Sequence, residues 1–172
     1  MSYAAQLDAL HARVAGTGLI ASPGGYVLAS ARALGQAGGS GLGLAAGHRP
    51  GGSSAPFADG LLALQRDLLT AAVTHALRHL DGRRSEGAPL LSRPQIQADI
   101  AEVATEIRLT ATTAGAVDDR VRWARHQRLC AAGRRLLHLL GGSSMVATGP
   151  GSDIYLAELA GNVYLHPGGD DD

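Results

Sequence analysis

Apolar side chains recur along this chain at intervals of three and four, the spacing that lays one face of an α-helix against a core. Leu7, Leu10 and Val14 mark a short amphipathic helix over residues 3 to 15, stopped by the "GTG" that begins at Gly16. Residues 26 to 34 suggest a second, weaker helix, and the glycine-dense run from 35 to 56 reads as a linker or mobile loop. From Phe57 onward the pattern strengthens. Leu61, Leu64, Leu68, Ala72 and Leu80 define a helix from about Asp59 to Leu80. Ile96, Ile100, Val103 and Ile107 define another that opens at Pro94, a residue suited to a first turn. A third follows the acidic pair Asp118 and Asp119 and stops at Gly141 and Gly142. Leu156, Leu159 and Val163 carry a fourth, from Asp153 to His166, ended by Pro167. Alternating strand patterns are essentially missing. The expected fold is all-α: a four-helix up-down bundle over residues 57 to 167, preceded by short helices and a linker in 1 to 56 and followed by a disordered acidic tail, 168 to 172.

Charge refines the helix pairing. Asp99, Glu102 and Glu106 form an acidic stripe, and Arg120, Arg122, Arg125, Arg128, Arg134 and Arg135 load the next helix with positive charge. An antiparallel hairpin turning near Gly115 brings Glu106 towards Arg128 and Asp99 towards Arg134. Cross-helix ion pairs explain these charges better than a nucleic-acid groove, because no stacking aromatics are interleaved with the arginines.

Composition narrows the classes further. Of the 172 residues 45% are apolar but only 3% aromatic, so the core is built from Leu, Ala, Val and Ile. The 15 cationic side chains balance the 15 acidic ones, giving no field to attract nucleic acid or an anionic membrane. No apolar run is long enough to span a bilayer, and the N-terminus lacks the pattern of a signal peptide, which points to a cytoplasmic protein. The single cysteine, Cys130, falls mid-helix and reads as a buried inert thiol.

Few residues assemble into recognisable chemistry. Gly41, Gly43 and Gly47 have the wrong spacing for a dinucleotide loop. His75 and His79 stand one turn apart without a third ligand and read as a solvated pair, so no metal site is expected. Neither "GGSSAP" nor "GGSSMV" completes a nucleophile elbow, and no carboxylate pair marks a general acid and base. Catalytic residues are not identifiable.

One order of segments does carry a resemblance. "RRSEGAPLLSRPQIQADIAEV" runs from Arg83 at a helix end, through a Pro-containing loop, into a helix that opens with Gln95 and Gln97. Ala124 and Arg125 follow, and then "HLLGGSSM" from His138. This order resembles the C-terminal helical domain of the acyl-CoA dehydrogenase family, with its R-x-x-F-G, Q-x-x-Q-x-x-L-A-D-M, A-K and Q-x-x-G-G-x-G elements. Arg83, Gly87, Gln97, Gly141 and Gly142 keep the family's residue types. Glu86 stands where the family has phenylalanine, Pro94 where it has its first glutamine, His138 where it has the later one, and Ser144 where it has its last glycine. No arginine occupies the family's R-x-x-R-D stretch, which falls on "IYLAE".

The resemblance implies an FAD-dependent oxidoreductase acting on the CH-CH bond of an acyl thioester, in which a glutamate takes the α proton and the flavin takes hydride. That glutamate has no counterpart here. Whole members are more than twice this length, so the chain is expected to be a truncated subunit. It would contribute Arg83, His138, Gly141 and Gly142 to an FAD shared with a partner, either a second copy or a full-length acyl-CoA dehydrogenase. The alternative is a catalytically inactive or repurposed bundle that serves as an assembly or binding module.

Overall fold

In the computed structural model, residues 1–36, 41, 43–52, 54–111, 118–145 and 149–167 are described. Among these residues five α-helices carry the fold: α1 (Tyr3–Ala15), α2 (Ala55–Gly82), α3 (Pro94–Ala111), α4 (Asp119–Leu140) and α5 (Gly151–Leu165). Local chemistry sets their starts. The Ser2 and Ser54 hydroxyls accept from the Ala5 and Phe57 amides, and the Asp118 carboxylate accepts from the Val121 amide at 2.8 Å. Each side chain thereby satisfies one amide left unpaired by the first turn. Among the described residues no helix is long and apolar enough to cross a membrane.

The contacts between helices fix their directions. Down α2 and α4, Arg122 meets Asp59, His126 meets Gln65, and Ser143 just past α4 meets His79. Both partners advance together, so α2 and α4 run the same way. Glu106 of α3 meets Arg128 of α4, and Asp99, about two turns earlier, meets Arg135. Asn162 of α5 meets His126, while Glu158 meets Arg134. Both α3 and α5 therefore oppose α4. The hairpin of α3 and α4 forms with Glu106 on Arg128 at 2.6 Å, as the charge stripe implies. One pairing differs: Asp99 and Glu102 both reach Arg135, while Arg134, one residue round the helix, faces α5 and takes Glu158. The expected turn at Gly115 lies outside the described residues, as does the acidic tail.

One continuous core runs through α1 to α5. Leu61, Leu69, Ala76 and Leu80 of α2, Leu129, Leu136 and Leu140 of α4 and Ala160 of α5 are buried in it with Tyr3, Leu7 and Leu10 of α1. On α3 Ile100 and Val103 are buried, and Ile96 and Ile107 pack, partly buried, against the same core. Glycine permits the closest approaches. A Cβ on Gly60 would lie 2.4 Å from a Leu10 methyl, so α1 can press on α2 only because that side chain is missing.

The N-terminal region departs from expectation. Residues 26 to 34 do not form a helix. Tyr26–Ala29 is a strand, β1, paired antiparallel with β2 (Ala45–His48) in the register Tyr26 to His48 through Ala29 to Ala45. The glycine-rich run from 35 to 56 is accordingly not all linker, since β2 lies within it. Helical side chains impose the strand. The buried Tyr164 hydroxyl accepts from the Leu28 amide at 2.8 Å, and His11 Nε2 donates to the Leu28 carbonyl at 3.0 Å. A second hairpin, β3 (Arg84–Ser85) with β4 (Ala88–Pro89), follows α2. Its turn residues Glu86 and Gly87 both have positive φ, 54° and 82°, the backbone twist of a tight two-residue hairpin loop.

Candidate functional site

Parallel α2 and α4 give the molecule two chemically different ends. The carboxyl end gathers the residues singled out in the sequence. Arg83 caps α2, and its carbonyl accepts from the Leu90 amide at 2.8 Å, closing the loop of β3 and β4. Its side chain is exposed and pairs with no other group among the described residues. Gly141 ends α4 with φ 58°, a conformation suited to glycine, and its amide returns to the carbonyls of His138 and Leu137. His138 is exposed. Among the described residues nothing lies within 4 Å of a Cβ built on Gly141 or Gly142, so none of them blocks approach to the backbone there. The two helix ends are joined by a contact between Ser143 Oγ and His79 Nε2 at 3.1 Å. His79 stacks on His75, ring centroids 6.1 Å apart. Among the described residues no group of three or more His, Cys, Asp or Glu side chains could hold a metal ion. Glu86, which stands where the acyl-CoA dehydrogenase pattern has phenylalanine, pairs with Arg93 at 3.2 Å on the exposed loop.

A polar cluster that sequence reasoning missed lies in the middle of the helices. His126 is fully buried, with Nδ1 2.9 Å from Gln65 Oε1 and Nε2 3.2 Å from Asn162 Oδ1. Cys130 lies against the same ring, and Gln65 Nε2 donates to its sulfur at 3.5 Å. Burial holds the His126 pKa below the ordinary histidine value, opposed by the hydrogen bond to Asn162. A neutral imidazole has one N–H, so it can donate to only one of the two amide oxygens. The other contact needs that amide's NH2 face or a second ring proton. Burial also pushes the Cys130 thiol up to about 11. At neutral pH the sulfur therefore stays protonated, and the cluster is a structural polar pin with no activated nucleophile. The signal was present as His126 and Cys130 one turn apart on α4, facing Gln65, a polar residue in a leucine stripe.

The chain matches no protein-family model, no curated protein and no solved structure.

The amino end holds a second constellation. Arg122 of α4, with its side chain only 8% exposed, donates from Nε and Nη2 to both oxygens of Asp59 and from Nη1 to Asp119. These bonds, that to Asp59 foremost, raise the guanidinium pKa above its usual value, so it is always charged. A pocket of about 420 Å³ opens beside it, lined by residues from the starts of α2 and α4 and the end of α5. A separate groove of about 480 Å³ runs between α3 and α4, floored by Ala101, Val103, Ala131 and Ala132 and crossed by the pairs of Glu106 with Arg128 and Glu102 with Arg135.

Proposed function

We propose that the chain is an acyl-CoA dehydrogenase-like helical subunit, an up-down-up-down bundle of α2 to α5, that completes an FAD site held mainly by a partner flavoprotein. One observation carries this reading. Arg83 and the Gly141–Gly142 turn, far apart in sequence, lie at the same end of parallel α2 and α4, and the contact of His79 with Ser143 ties those ends together. A guanidinium exposed and without a partner among the described residues suits a diphosphate, which it can grip bidentately, and bare glycine backbone admits an adenosine or phosphate at short range. His138 borders the turn.

The fit extends to the nucleotide half of FAD only. Neither the pocket beside Arg122 nor the groove between α3 and α4 includes Arg83, His138, Gly141 or Gly142 in its lining, so the isoalloxazine ring would rest on the partner. Bound flavin would supply the hydride acceptor for oxidation of an acyl thioester. This chain's own part is to hold the diphosphate with Arg83 and leave room for it at Gly141 and Gly142. The partner is a full-length acyl-CoA dehydrogenase-type chain or a second copy, in the cytoplasm.

The deciding experiment isolates the tagged chain under native conditions from its own cells. Flavin absorbance that travels with the chain and a second polypeptide supports the reading. Arg83→Ala should then lower flavin retention about tenfold, the loss of about 1.4 kcal/mol expected for a charged hydrogen bond, without changing thermal stability. A colourless chain that gains no flavin in its complex, even with excess FAD, overturns it. That result would favour the second reading, an assembly or binding module, for which the apolar floor of the groove between α3 and α4 is the supporting feature.

A further inference from the structure

The pocket at the amino end lies away from the proposed flavin site and is independent of it. Pro23, Ala55, Ala58, Leu165 and Pro167 give it an apolar wall; Asp119, Arg122 and His166 give it charge and hydrogen-bonding groups. Arg122 has five N–H donors, and three are engaged: two by Asp59 and one by Asp119. Among the described residues the other two donors meet no partner, on a side chain that is nine-tenths buried and lines the pocket. The first turns of α2 and α4 both line the pocket, and helix starts carry partial positive charge.

Opposing this, Asp119 Oδ2 has no partner among the described residues, and its side chain is 79% exposed beside the pocket. Two carboxylates around one guanidinium leave a formal charge of minus one. A simple anion would be repelled by Asp59 and Asp119, and a simple cation would face the guanidinium. A molecule with a carboxylate beside an ammonium answers both groups at once.

We infer that this pocket binds a small zwitterion of the α-amino-acid class. Its carboxylate takes the two remaining N–H groups of Arg122, its ammonium takes Asp119 Oδ2, and its apolar side chain lies along Pro23, Ala58 and Leu165. The volume of about 420 Å³ is that of an ordinary small-molecule site.

The chain reports on this pocket by itself. Trp123, its single tryptophan, has its ring 4.8 Å from His166, a lining residue. Tryptophan fluorescence of the full chain is followed during titration with leucine, with 4-methylpentanoate, which lacks the ammonium, and with 3-methylbutylamine, which lacks the carboxylate. The expected result is a saturable change with leucine and binding of each analogue at least about tenfold weaker. Asp119→Asn keeps an oxygen for Arg122 but removes the charge. It should weaken leucine about tenfold and leave 4-methylpentanoate no weaker, with an unchanged helical circular dichroism spectrum. No saturable change with leucine up to about 10 mM, a concentration that corresponds to only about 3 kcal/mol of affinity, overturns the inference. Equal affinity for 4-methylpentanoate and leucine, or leucine affinity unchanged by Asp119→Asn, does the same.

Discussion

Replacing Gly161 by alanine would test the packing at the centre of the molecule most severely. A Cβ at that position would lie 2.0 Å from Cε1 of His126, 2.3 Å from Nδ1 and 2.6 Å from Nε2. Non-bonded heavy atoms settle at about 3.5 Å or more, so the ring would have to retreat by roughly 1.5 Å. It has nowhere cheap to go. His126 is fully buried, is held by Gln65 at 2.9 Å and Asn162 at 3.2 Å, and rests on Cys130. A shift of that size breaks both amide contacts, at about 1 kcal/mol each. Overpacking adds about 1 to 3 kcal/mol, and the better helix propensity of alanine returns about 1 kcal/mol. The net loss is about 2 to 4 kcal/mol, equivalent to a drop in Tm of roughly 5 to 15 °C for a chain of this size.

Urea and thermal unfolding followed by helical circular dichroism would measure this loss. Gly82→Ala is the control: it lies at the end of α2 with none of the described residues within 4 Å of the added carbon, and should be neutral or slightly stabilising. Coupling provides a second check, because removing the His126 ring should abolish most of the penalty of Gly161→Ala. If Gly161→Ala unfolds at the same urea concentration as the parent, the close contact between α4 and α5 does not exist in solution, and the argument for a rigid polar pin fails with it.

Three further outcomes follow from the same core. Burial lowers the pKa of both His126 and His11 in the folded chain, so below the ordinary histidine pKa of about 6.5 the unfolded chain binds protons that the folded one refuses. Stability should therefore be full above about pH 6.5 and fall as pH drops towards 5, by at most about 1.4 kcal/mol per pH unit for each ring; a flat urea midpoint across that range would contradict the burial of both. Ile100→Asp puts a carboxylate at a core position that is 8% exposed and should cost at least about 3 kcal/mol, enough to unfold a marginal domain, whereas a parent-like melt would put α3 in the wrong register. Tyr164→Phe removes the acceptor of the Leu28 amide, so a loss of about 1 to 3 kcal/mol and faster hydrogen exchange at Leu28 are expected, and unchanged exchange there would detach the hairpin from α5.

The helices were legible because their information is local. The stripe Ile96, Ile100, Val103 and Ile107 meets the core as its spacing requires, and Asp118 caps the helix it precedes, whereas α2 starts at Ala55 behind the Ser54 cap, four residues before the expected Asp59. The strand was not legible, because its cause is remote. Val27, Leu28 and Ala29 are all buried, so β1 shows no alternation, and what holds it is Tyr164 and His11 from two helices. A four-residue strand that depends on distant side chains leaves no periodic trace of its own. The same limit hid the polar cluster. Gln65, His126 and Asn162 lie on three separate helices, and only the packing of those helices brings their polar atoms within hydrogen-bonding reach. The charge stripe predicted which helices pair, yet placed Asp99 on Arg134 instead of Arg135, because adjacent residues on a helix point about 100° apart and the partner depends on rotation about the axis.

The scarcity of aromatic residues accounts for much of this architecture. With one Phe, one Trp and four Tyr available, the core cannot be filled with large rings and must bring its helices close. Gly60 lets Leu10 of α1 onto α2, Gly133 admits Ile154 of α5 onto α4, and Gly161 admits the His126 ring onto α5. Phe57 and Tyr164 are spent together beside His11, where a ring cluster joins α1, α2 and α5 under the hairpin. Close approach confines the reactive-looking groups, His126 and Cys130, to the interior as neutral packing elements and leaves the ends of α2 and α4 as the places where charge and open backbone reach solvent. Ligands are therefore expected at those ends, and since Arg83 and Arg122 lie on opposite ones, a variant at either site can fail its test without prejudice to the other.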